Sequence, residues 1–179
     1  MSVKPTSQIG SKVIRTRARA VLKANSRETR ATIKDLIDSM RHHNLVGMAA
    51  PQIGQSLRIF VTEIRKTTYR KNISKEDAVR VFINPRILER SKQQVAGYEG
   101  CGSVGDALLF GPVKRPRTVT VSAQDAAGRR FKLKATGLLA RVIQHENDHL
   151  NGIVFLDRVT DTRKLLGREV YIGSQKKRS

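Results

Sequence analysis

Tryptophan is absent from this 179-residue chain, and all aromatic residues together make up only 4% of it. Surfaces that stack single-stranded bases are built from such rings, so the composition argues against a base-stacking platform as the main device of the molecule. Cysteine is nearly absent as well: Cys101 stands alone, which rules out an intramolecular disulfide and suits a reducing compartment. No apolar run approaches the ~20 residues that a membrane-spanning helix requires. The opening MSVKPTSQIG is polar and unlike a secretory signal. These absences lead to the expectation of a soluble intracellular protein, neither secreted nor bound to a membrane. Acidic residues are scarce too, with 15 Asp and Glu against 35 Lys and Arg and a formal net charge of +20. Such an excess draws polyanions over long range, so a ribosome or RNA surface is an expected partner. The cations are dispersed through RTRAR (15–19), RKTTYRK (65–71), RPR (115–117) and QKKRS (175–179), a pattern suited to general attraction rather than to sequence readout.

What is present is enough for one core. A chain of this length folding as a single domain over 1–179, with a basic tail at about 175–179, buries about two thirds of its unfolded surface. Between Asn25 and Asn44 the apolar residues Ile33, Leu36, Ile37 and Met40 recur at helical spacing, and Asn25 with Glu28 resembles a capping box. SLRIFVTEI (56–64) and VRVFINPRIL (79–88) read as strands around a polar loop, YRKNISKEDA. TVTVSAQ and RRFKLKA alternate apolar and polar residues on either side of DAAG, the pattern of a hairpin. A helix bracketed by Gly137 and Gly152 follows, then an apolar segment, IVFLDRV (153–159). Strands placed before and after an internal helix, without regular alternation, predict an α+β fold.

The helix after the hairpin carries the chemistry. In QHENDHLNG (144–152), His145 and His149 are four positions apart and share a helix face, so both can reach one ion. Glu146, one step around the helix, is placed to handle a proton. Leu138, Leu139, Val142 and Ile143 supply the apolar side. A catalytic metal commonly takes three protein ligands and keeps one open position. Two residues qualify as the third ligand. Glu169 has the separation of a thermolysin-like metalloprotease, while Cys101 lies in the glycine-rich YEGCGSVG, where backbone can approach a ligand closely.

Three motifs resemble those of one family. GMAAPQIG (47–54), EGCGS (99–103) and QHENDH (144–149) occur in the order and approximate spacing of peptide deformylases, and FINPRI and GLLARVIQHENDHLNGIVFLDRV are similar to the same family. The resemblance implies mixed or antiparallel β-sheets around a central HExxH helix. It implies a metal-dependent hydrolase that removes the formyl group from the initiator methionine of nascent polypeptides, with N-formylmethionyl peptides as substrates. Cys101, His145 and His149 would hold one divalent ion, ferrous iron, for which Zn2+, Ni2+ or Co2+ can substitute. Glu146 would be the general base and acid, and Gln52 with the backbone N–H of Gly102 would bind the oxyanion. Leu45, Val46 and Gly47 would lie along the substrate. The chain departs from the family pattern in three places: Gly102 follows the motif cysteine where leucine is usual, Leu45 replaces a glycine, and VGDALLFGP (104–112) is longer than usual. Readings of another kind are a degenerate paralogue, a ribosome- or RNA-associated basic protein, and the protease with Glu169 as ligand.

Overall fold

The computed structural model describes residues 3–68, 70, 73 and 75–176. Along the chain the helices are α1 (Lys12–Arg15), α2 (Arg27–His42), α3 (Gly137–His149) and α4 (Arg168–Lys176). The strands are β1 (Gly47–Ala49), β2 (Ile59–Ile64), β3 (Asp77–Arg90), β4 (Gln94–Gly100), β5 (Leu109–Pro116), β6 (Thr118–Gln124), β7 (Arg130–Thr136) and β8 (Leu166–Gly167). Two antiparallel sheets result, one in the order β1-β2-β3-β6-β7 and the other β4-β5-β8. The α+β expectation holds, and α3 touches β1, β2, β6 and β7 of the large sheet as well as β5 of the small one.

Alternation along the strands explains the layering. On β2, Ile59 and Val61 face α2, where they join Ile33, Leu36 and Met40. Phe60, pointing to the opposite face, joins Val121, Ala140 and Ile143 beneath α3. The large sheet is therefore covered on both faces by helices whose apolar stripes match it. The cap of α2 differs from the expected one by a residue: Ser26 Oγ, not Asn25, accepts the Thr29 N–H at 3.1 Å.

β3 is longer than the segment read from the sequence because it serves two partners in turn. It pairs with β2 as far as Ile83 and with β6 from there on, and its register shifts between Ile83 and Arg86. Pro85 cannot donate to a ladder and sits at this irregularity. Asn84 adopts a positive φ of 50° and exchanges two 2.8 Å hydrogen bonds with the backbone of Val21. The expected hairpin is β6–β7, closed by Asp125, whose Oδ1 accepts the N–H groups of Ala127 and Arg129.

Elsewhere the chain takes forms that its pattern did not announce. Phe155–Arg158, expected as a plain apolar segment, is a 3-10 turn. In the basic C-terminal tail, Gln175 and Lys176 close α4, and 177–179 lie outside the described residues. Of the polar loop before β3, residues 69, 71, 72 and 74 likewise lie outside them, and Asp77 and Ala78 already belong to the strand. Among the described residues no helix is long and apolar enough to cross a membrane.

Candidate active site

Two elements of different origin bring the donors together. α3 presents His145 and His149 from adjacent turns, with ring centroids 5.0 Å apart. The β4–β5 hairpin delivers Cys101 from the other side. Its register ends at Gly100 opposite Phe110, where a side chain on Gly100 would meet the Phe110 ring at 2.6 Å. With glycine there the strand can run on, and Cys101 Sγ comes 3.1 Å from His149 Nε2. Cys101, His145 and His149 offer ligand atoms that all lie within 4.8 Å of one another. A thiolate and two imidazoles suit zinc or ferrous iron, so the residues present fit one divalent ion. Glu169, the other candidate ligand, is exposed in the first turn of α4 and outside this group.

The donors differ in charge state from free side chains. Burial pushes the Cys101 thiol up, but the adjoining His149 and His145 outweigh it and bring its pKa down to about 5. Burial pulls His145 down, yet its hydrogen bonds to Cys101 and Glu99 raise it well above the usual histidine range. Glu146 is 4% exposed, and burial, partly opposed by His145 and His149, lifts its carboxyl to about 7. Its Oε2 has no hydrogen-bond partner among the described residues.

Eight of the nine residues that the family resemblance implies line one cavity: Leu45, Val46, Gly47, Gln52, Cys101, Gly102, His145 and Glu146. His149, the ninth, is buried behind the thiol at 1% exposure. Gln52 sits on a 3-10 turn, Ala50–Ile53, with its orientation fixed: Oε1 accepts the Ala49 N–H at 2.8 Å while Nε2 points to Cys101 Sγ at 3.5 Å. Phe110, Leu138 and Val142 add apolar lining, and Ala107 and Phe110 come from the VGDALLFGP segment.

Sequence reasoning missed the residues behind the donors. Glu99 Oε2 is 2.9 Å from His145 Nδ1, leaving Nε2 of that ring for a cation. Arg115 grips Glu99 through two bonds of 2.8 and 3.0 Å and reaches Asp148 Oδ2 at 2.5 Å. Arg141 donates to Glu99 Oε1 at 2.7 Å, and Arg158 closes the network on Asp148. Burial opposes ionisation of Glu99, but hydrogen bonds from His145 and Arg115 hold its carboxyl well below the usual carboxylate range. The available signal was position: Glu99 and Asp148 lie inside EGCGS and QHENDH, acids beside the donors themselves.

A helix whose two histidines meet a cysteine carried by a β-hairpin, with the Glu146 carboxyl lining the same cavity, is the kind of site that suits metal-assisted hydrolysis. The sequence pattern of the polypeptide deformylase family matches residues 3–165. A peptide deformylase of Dictyoglomus thermophilum is 40% identical over 159 residues, covering 89% of this chain and 94% of that protein. One from Treponema pallidum is 42% identical over 137 residues, 76% of each chain. The crystal structure of class I type b peptide deformylase from Acinetobacter baumannii with bound Met-Ala-Ser superposes with a TM-score of 0.83 at 33% identity, covering 89% of this chain and all of that one. This chain belongs to the peptide deformylase family. It is an enzyme that removes the N-formyl group from nascent polypeptides.

Proposed function

We propose that Cys101, His145 and His149 hold Fe2+, with Zn2+, Ni2+ or Co2+ as substitutes, and that residues 1–179 act as one unit around that ion. When bound, the cation supplies Lewis acidity, polarising the formyl carbonyl and making a water acidic near neutral pH. Glu146 takes the proton of the attacking water at its free Oε2 and passes it to the departing amine, as a carboxyl poised near neutrality can. Gln52 Nε2 and the Gly102 N–H donate to the oxygen on which charge develops. The apolar wall of Leu138, Val142 and Phe110 receives the methionine side chain. The peptide backbone runs along Leu45, Val46 and Gly47, because β1 ends the large sheet and its outer edge is available for strand addition beside Glu146. The Met-Ala-Ser bound by the Acinetobacter relative supports a peptide ligand of this kind.

The observation that carries this reading is the convergence of Cys101 with the two histidines of α3. Iron-loaded protein, prepared anaerobically, should release formate from formyl-Met-Ala-Ser, and Glu146→Ala should abolish release while retaining iron. Metal-loaded wild type that releases no formate would overturn it in favour of a degenerate paralogue. A second reading rests on the net charge of +20: the enzyme is concentrated at the RNA-rich ribosome surface by general attraction. On this reading the enzyme works where chains are made, in bacterial cytoplasm or an organelle matrix.

A further inference from the structure

Gly102 is an unusual choice for an oxyanion donor, since glycine leaves its backbone free and a donor must be held in place. The structure supplies the missing restraint from outside the residue. A Cβ on Gly102 would stand 3.2 Å from Leu45 Cδ1 and 3.3 Å from Thr6 Cγ2, so two other side chains crowd the space that its own would take. Gln8 Nε2 donates to Gly102 O at 2.9 Å, and Gln8 Oε1 accepts the Gly105 N–H at 2.9 Å. Thr6 is tied to the same loop through Asp106 Oδ1 at 2.9 Å. Leu45 is itself fixed at both ends: its N–H donates to Met40 O at 2.9 Å, and its carbonyl accepts from Arg65 at 3.1 Å. The two single-residue departures from the family pattern, on separate motifs, thus lie against one another.

We propose that Leu45, together with Thr6 and Gln8, is a positioning clamp for the Gly102 N–H, replacing the restraint that a side chain at 102 would give. This rests on the reading of that N–H as an oxyanion donor. The clamp acts on the transition state more than on substrate binding, because the donor matters most when charge has developed.

The test compares wild type, Leu45→Ala, Gly102→Ala, the double variant and Gln8→Ala, with metal content, formyl-Met-Ala-Ser kinetics and melting measured for each. Leu45→Ala should lower kcat by about tenfold, less than the ~10²–10³ of outright donor loss. The new methyl of Gly102→Ala should restore most of that kcat in the double variant, by filling the vacated space. Gln8 is not among the residues lining the cavity, so Gln8→Ala should lower kcat likewise with KM and metal content little changed, and it carries the test should Leu45→Ala fail to fold. Melting gives a reading that is independent of activity: the double variant should be more stable than the two single changes predict when added. Additive melting shifts, a change in KM as large as that in kcat for Gln8→Ala, or no recovery in the double variant would each overturn the clamp. Absence of formate from the wild type would instead strike the deformylase reading, with the melting cycle still deciding the clamp.

Discussion

Gly47 and Glu146 leave no room between them: a Cβ on Gly47 would stand 2.5 Å from Glu146 Oε1 and 2.6 Å from Val142 Cγ1. The edge strand β1 and the helix α3 therefore meet across a glycine, which lets the Glu146 carboxyl come this close to the strand. Gly47→Ala must push Glu146 aside. We expect turnover to fall at least ~10²-fold, the cost of an ~1 Å misplacement, while the metal, whose ligands are untouched, stays bound. Steady-state kinetics paired with metal analysis checks this, and unaltered kcat/KM would refute it.

Glu99 orients His145 and neutralises Arg115 and Arg141. Loss of such an outer carboxylate typically weakens metal binding ~10–100-fold, and stranding buried arginines costs ~3–5 kcal/mol. Glu99→Ala should show both effects, in chelator competition and in melting. Glu99→Gln, which keeps the shape, should retain more stability than metal affinity.

Ligand identity separates the deformylase from a thermolysin-like protease. Cys101→Ser should lose most bound metal and Glu169→Gln should lose none, as measured by metal analysis of protein purified anaerobically. The reverse pattern would overturn the assignment.

Glu63 joins Arg41 at the end of α2 to Arg65, which holds the Leu45 carbonyl. The hydrogen bond from Arg41 depresses the Glu63 pKa in the folded state, outweighing burial. Stability from a depressed carboxylate is present above its unfolded pKa of about 4.3 and is lost as pH falls through the folded value. Glu63→Gln should therefore be less stable than wild type at pH 7 by about 1 kcal/mol, a modest figure because Arg41 is half exposed. Denaturant unfolding across a pH series should show the gap closing in acid, and a constant gap would exclude the ionic origin.

Removing residues 175–179 takes away Lys176, Lys177 and Arg178. If the tail contacts the ribosome, co-sedimentation should weaken and become less sensitive to salt, with formyl-peptide turnover unchanged. Unaltered co-sedimentation would exclude the tail as the anchor. A matching fall in turnover would show instead that the end of α4 supports the fold.

Local periodicity was enough to place α2, the β6–β7 hairpin and the shared face of His145 and His149, because each depends on residues a few positions apart. It could not choose between Cys101 and Glu169. The β4–β5 register, which sets Gly100 against Phe110, carries the thiol onto α3 and leaves Glu169 outside the group. Nor could spacing reveal that Glu99, Arg115 and Asp148 form one buried network, since a charge is tolerated in the core only where folding supplies its partner. Leu45 and Gly102 make the same distinction at the scale of one contact. The sequence by itself determined the helix and the shared face on which His145 and His149 stand. Which distant residues close around those donors, and the packing of Leu45 over Gly102, were decided only when sheets and helices were brought together by burial of their apolar faces.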